Sequence, residues 1–128
     1  MRRLVLFFLV MGISVVCMAE SPNLACQKIF ERKDLYSKGY DIVKINQPYN
    51  YFRCIKARKD KKLMREVQKA FEKDSRRACN MVENRSSSGK ISSVINIEHK
   101  GYMINIGLVC DSEGNLKLFM QSQPEAFE

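Results

Sequence analysis

Residues 94–120 read VINIEHKGYMINIGLVCDSEGNLKLFM, and their alternation decides the fold. Ile95 and Ile97 alternate with polar neighbours, as do Tyr102, Ile104, Ile106, Leu108 and Cys110, and then Leu116, Leu118 and Met120. A period of two is the mark of a strand with one buried face. A two-residue turn at Lys100-Gly101 pairs His99 with Tyr102, Ile97 with Ile104 and Ile95 with Ile106. A three-residue loop, Ser112-Glu113-Gly114, pairs Asp111 with Asn115, Cys110 with Leu116 and Leu108 with Leu118, with Gly114 free to turn left-handed. Both turns keep the alternation in phase, which predicts a three-stranded antiparallel meander over residues 91–121 with an apolar face that must be covered.

Working outward, the cover has to come from upstream. A first helix is predicted from Ser21-Pro22, where serine caps and proline suits the first position, to about Lys33, with Leu24, Ile29 and Phe30 facing inward. Ser37 to Pro48 reads as loop, with a short extended piece at Asp41–Ile45. A second helical stretch begins near Tyr49, carries Tyr51, Phe52, Cys54 and Ile55, and leads into the strongest helical pattern, from about Lys61. There Leu63, Val67, Ala70, Phe71, Ala78 and Val82 share one side, with Met64 and Met81 beside them. Asp74 breaks this stripe. It is either a partnered buried carboxylate or, the preferred alternative, part of an Asp74-Ser75 break that ends one helix and caps another. A polar connector, 84–90, then leads to the meander. The predicted architecture is α+β: N-terminal helices, within a mainly helical 20–83, packed on one face of the C-terminal three-stranded antiparallel meander, with two disulfides, in a single small domain over 20–128.

The disulfides follow from the start of the chain. Met1-Arg2-Arg3, an apolar run from Leu4 to Cys17 and then Met18-Ala19-Glu20 have the three-part layout of a signal peptide, with cleavage predicted after Ala19. The run is short of the ~20 residues a spanning helix needs, so no transmembrane segment is expected after cleavage. The expected location is the bacterial periplasm or the extracellular space. Removing the leader removes Cys17 and leaves Cys26, Cys54, Cys79 and Cys110, an even set that points to two bridges. Each would close a loop of some thirty residues, adding roughly 3–4 kcal/mol by the chain-entropy account. Cys110 is expected to point from the middle strand toward the helices, where Cys79 lies near a helix end. This favours Cys79 with Cys110 and leaves Cys26 with Cys54. No Cys-x-x-Cys pair suggests a metal site.

Catalytic signatures are few. His99 is the only histidine, which excludes a ribonuclease built on paired histidines. No serine lies in a Gly-x-Ser-x-Gly turn, and phosphate loops and dinucleotide signatures are missing, so no catalytic residue, metal or cofactor is predicted. Glu31, Asp34, Glu66, Glu72, Asp74 and Glu98 could supply a glycosidase's carboxylate pair, but no spacing marks one. Asn84-Arg85-Ser86 fits the N-glycosylation acceptor pattern.

Charge is the conspicuous surface signal. The segment from Arg53 to Arg77 holds eleven basic residues against Asp60, Glu66, Glu72 and Asp74, a surplus of seven. Without Arg2 and Arg3 the whole chain has a surplus of only six. Lys62, Arg65, Lys69, Lys73 and Arg76 fall opposite the apolar stripe and form the candidate surface for an anion or partner. The favoured function is a non-enzymatic exported binding protein of the inhibitor, immunity or envelope-accessory kind, acting on a macromolecular partner. The alternatives are a peripheral binder of anionic lipid or glycan through the basic helix face, and a small secreted hydrolase. Nucleic acid is the least favoured partner.

Overall fold

The computed structural model describes residues 23–47 and 50–124. Their elements are helix α1 (Ala25–Phe30), a 3₁₀ turn (Lys33–Lys38), strands β1 (Asp41–Gln47) and β2 (Asn50–Ala57), helix α2 (Lys61–Ser75), and strands β3 (Asn80–Arg85), β4 (Ile91–His99), β5 (Tyr102–Cys110) and β6 (Leu116–Pro124). The strands form one antiparallel six-stranded sheet in the order β1-β2-β6-β5-β4-β3. This corrects the three-stranded expectation: the meander is there, but it is half of a larger sheet.

Within that half, the expected register holds. His99 pairs with Tyr102, Ile97 with Ile104 and Ile95 with Ile106. Leu108 pairs with Leu118 and Cys110 with Leu116. Lys100 and Gly101 both have positive φ, 49° and 82°, as a two-residue hairpin turn matching strand twist requires. At the next turn the Asp111 carboxylate accepts the N–H groups of Glu113 and Asn115 at 2.9 and 3.1 Å.

The segment read as a second helix is β2. Tyr51, Arg53, Ile55 and Ala57 lie opposite Ser122, Met120, Leu118 and Leu116, whereas Phe52 and Cys54 point to the other face, opposite Gln121 and Phe119. A strand with apolar residues on both faces shows no alternation, and periodicity alone cannot tell it from a helix. The long helical pattern also stops earlier than its spacing suggests. After Ser75 the chain turns through Arg77 N–H to Asp74 C=O and Ala78 N–H to Ser75 C=O bonds, then extends as β3. Val82, placed by sequence in the helix stripe, is 55 % exposed on an edge strand. The backbone edge of β4 needs hydrogen-bond partners, and β3 supplies them. Asn84 accordingly lies in β3 and is exposed, rather than in a connector.

α1 and α2 cover one face. Leu24, Ile29, Phe30, Leu63, Val67 and Phe71 join Ile55, Ile95, Ile106 and Leu118 in one core. Each such side chain contributes roughly 1.5–3 kcal/mol by leaving water. Asp74 is buried within this layer, 2 % exposed. Its Oδ1 accepts the Ala25 N–H and its Oδ2 the Cys26 N–H, both at 2.8 Å, so it is the partnered carboxylate. α2 continues through it to Ser75, and the helix it caps is α1, not a following one. α1 needs this help, because its own N-cap residue, Leu24, has no capping side chain.

Cys26, Cys54, Cys79 and Cys110 are free thiols, which corrects the two-disulfide expectation. Cys26 sits in the helical layer, while Cys54 points out of the opposite face of the sheet, so the sheet stands between them. The Cys79 N–H bonds the Asn96 carbonyl at 2.8 Å, which sets Cys79 level with Ile104 and Asn105 of β5. Cys110 ends that strand some six residues away, roughly 20 Å along it. A bridge allows no more than about 7 Å between α-carbons. The predicted leader, 1–19, lies outside the described residues. Among the described residues no helix is long and apolar enough to cross a membrane.

Candidate anion-binding site

α2 begins where Asp60 accepts the Leu63 N–H at 2.9 Å. From there its outward face carries Lys62, Arg65, Lys69, Lys73 and Arg76, all exposed, as their spacing predicts. Arg76 lies 3.9 Å from Glu72. Glu66, the other acid on the helix flank, is taken by Arg32, which also pairs with Asp34 at 2.8 Å. Among the described residues no carboxylate stands within ion-pair distance of Lys62, Arg65, Lys69 or Lys73.

The fold adds a second basic feature that the sequence did not reveal. At the end of the sheet beside the start of α2 lies an open cleft of about 700 Å³, lined by Lys56, Arg58, Lys59, Lys90 and Lys117 over a floor that includes Ala57, Val109, Cys110 and Leu116. These cations come from the end of β2, the β2–α2 connector, the β3–β4 turn and the start of β6. Asp111 is the one acid in the lining, and its carboxylate is already committed. It accepts the Asn115 side-chain amide at 3.0 Å and the N–H groups of Glu113 and Asn115, and these bonds hold it below the usual carboxylate range.

Local geometry fixes the cationic rim. Lys59 is left-handed, φ 50°, and its N–H bonds Asn115 Oδ1 at 3.0 Å. The Asp60 N–H bonds the Gly114 carbonyl at 3.0 Å. The approach is so close that a β-carbon on Gly114 would stand 2.9 Å from the amide nitrogens of Asp60 and Lys61. Only glycine allows the connector to rest on the β5–β6 turn here. Tyr40 donates its hydroxyl to Asp60 from the other side, so the cap residue is held twice.

Lys56 and Lys117 are direct cross-strand neighbours. Like charges in that position oppose sheet formation. Cys54, one row along on the same face, has its thiol pushed up by burial, against the downward pull of these two lysines.

The remaining sequence candidates do not assemble around the cleft. His99 faces the helix side of the sheet beside Tyr102, Glu98 points to the opposite side, and Asp74 is consumed by α1. A glycosidase needs two facing carboxylates, and the cleft offers Asp111 alone. Among the described residues no group of three or more histidine, cysteine, aspartate or glutamate side chains could hold a metal ion. The arrangement can attract and hold a multiply charged anion. No family model, curated protein or solved structure matches this chain.

Proposed function

We propose that this is a non-enzymatic binding protein that docks an acidic protein partner at its basic end. The observation that carries this reading is the convergence of Lys56, Arg58, Lys59, Lys90 and Lys117 on one cleft, opposed by a single acid that is internally engaged. The outward face of α2 extends the same field from Lys62 to Arg76. Such a field raises the encounter rate and sets the orientation of an acidic partner. A concave cleft suits the projecting carboxylates of a peptide segment better than the flat surface of a lipid bilayer.

The test is binding of a fluorescent poly-glutamate peptide to the full chain, with anionic phospholipid vesicles and heparin as competing ligands. Peptide affinity should fall at least tenfold on raising salt from low to physiological strength. It should be lost in Lys56→Glu/Lys117→Glu and reduced in Lys62→Glu/Arg65→Glu/Lys69→Glu. Binding to vesicles or heparin without binding to the peptide would replace an acidic protein by an anionic surface as the partner. Peptide binding that ignores both salt and these substitutions would remove the basic end from the function.

A further inference from the structure

Among the described residues no helix covers the face of the sheet turned away from α1 and α2, and its rows can be read from strand register. One row is Val82, Val94, Gly107, Phe119, Cys54 and Val43, running across all six strands. Val82 and Val43, at its two ends, are 55 % and 48 % exposed. The next row is Asn80, Asn96, Asn105, Gln121, Phe52 and Ile45, four amides followed by two apolar residues. Neither row contains a charge. On the far side of the apolar row, Lys56, Lys117 and Asp41 are confined to β2, β6 and β1.

We infer that this face is a self-association surface, on which a second copy of the chain docks face to face about a two-fold axis parallel to the strands. Three observations select this occupant. The first is area: six strands of six to nine residues, spaced ~4.8 Å apart, present roughly 700 Å². A standard interface takes about 800 Å² from each partner. The second is chemistry, because side-chain amides both donate and accept, so the central pair of that row, Asn105 and Gln121, complements its own copy, while Asn96 and Asn80 meet Phe52 and Ile45. The third is charge placement. Such an axis exchanges β1 with β3, β2 with β4 and β6 with β5. It sets Lys56 against Ser92, Lys117 against Val109 and Asp41 against Asn84, and it brings Gln121 to Asn105 and Val43 to Val82. No like charges stand directly opposite one another, and the two Lys117 residues flank the axis at one end of the interface. The product is two sheets packed in the aligned manner of a β-sandwich, with the helices outside. Lys56 and Lys117 of both copies then lie at one end of the interface, so self-association and an acidic partner compete for these two cleft residues.

The test is the mass of the full chain in solution by sedimentation velocity. The expected species is a dimer, twice 14.9 kDa. Val82→Lys/Asn105→Lys, altering an exposed edge residue and a central amide, should return it to monomer or weaken association at least tenfold while leaving the circular dichroism spectrum unchanged. Lys69→Glu, on the opposite side of the molecule, should leave the dimer intact. A wild-type monomer at all accessible concentrations overturns the inference. So does a dimer that survives the double substitution, or one exchanged for binding of neutral lipid vesicles that this substitution abolishes.

Discussion

The Asp74 carboxylate holds the Cys26 backbone N–H at 2.8 Å across 48 residues of chain, and with the Ala25 N–H it supplies the N-terminal cap that α1 lacks. The same carboxylate pushes the Cys26 thiol up, adding its charge and a hydrogen bond to the larger effect of burial. Replacing Asp74 by alanine leaves two amide donors without a partner inside the protein. The expected loss is about 2–4 kcal/mol, combining a lost cap with buried unsatisfied donors. Urea unfolding of Asp74→Ala measures it, and a loss under about 1 kcal/mol would mean that water replaces the carboxylate.

Thiol reactivity should follow the fold. Cys79 is exposed, whereas Cys26, Cys54 and Cys110 are buried, and burial raises the thiols of Cys26 and Cys54. Among these four, iodoacetamide should label Cys79 first, and the other three only as the protein unfolds. Peptide mass mapping over a denaturant series reads this directly. Recovery of Cys79 linked to Cys110 would contradict the sheet geometry.

Asp60 and Tyr40 should give stability a dependence on pH at both extremes. Hydrogen bonds from the Tyr40 hydroxyl and then the Leu63 N–H lower Asp60 from its ordinary 3.8, so this contribution is present above that value and fades as pH falls through the depressed one. Tyr40 is pushed up to about 12, first by its bond to Asp60, so its contribution is intact below pH 10 and fades between 10 and 12. Tyr40→Phe should cost about 1 kcal/mol at neutral pH. Asp60→Asn should return the Tyr40 titration toward 10, which an ultraviolet tyrosinate titration detects as a difference from wild type.

Two glycines mark close approaches that substitution would destroy. Gly114 has φ 93° and no room over the Asp60 and Lys61 amides, so Gly114→Ala should cost about 2–3 kcal/mol and loosen the connector carrying Arg58 and Lys59. Gly107 lies beneath the Phe119 ring, where a β-carbon would stand 2.0 Å from a ring atom. Gly107→Ala should cost about 1–3 kcal/mol by displacing that ring. Phe119→Leu should recover part of the loss in the double variant, giving a measurable coupling in a thermodynamic cycle.

Removing one member of the Lys56–Lys117 pair should separate stability from binding. Lys117→Thr relieves a cross-strand repulsion and suits a strand, so it is expected to stabilise the fold at low salt by about 0.5 kcal/mol. The same change should weaken the acidic peptide several-fold. A variant that is both less stable and an equally good binder would argue that the two lysines neither repel nor contribute to recognition.

Much of the C-terminal half was legible because its strands are buried on one face. Alternation fixed Ile97 against Ile104 and Leu108 against Leu118, and the cations of α2 followed from the spacing of Leu63, Val67 and Phe71. β2 was misread because Ile55 packs on the helix side while Phe52 and Cys54 turn to the other, which erases the alternation. β3 was misread because Val82 falls at a helical interval from Ala78, and an edge strand exposed along its length gives no burial signal. The cleft left no sequence trace: Lys90 and Lys117 are isolated cations in a segment poor in charge, and only the sheet brings them to Lys56.

The strand order has a kinetic consequence. β6 follows the other described strands in the chain yet occupies the middle of the sheet, with Arg53 against Met120 on one side and Ile106 against Met120 on the other. During synthesis the β1–β2 hairpin therefore lacks its sheet neighbour until β6 has been made, and the edge of β2 waits unpaired. Closing the sheet centre is governed by this long-range pairing, which makes for slow folding and leaves an unpaired edge exposed in the meantime.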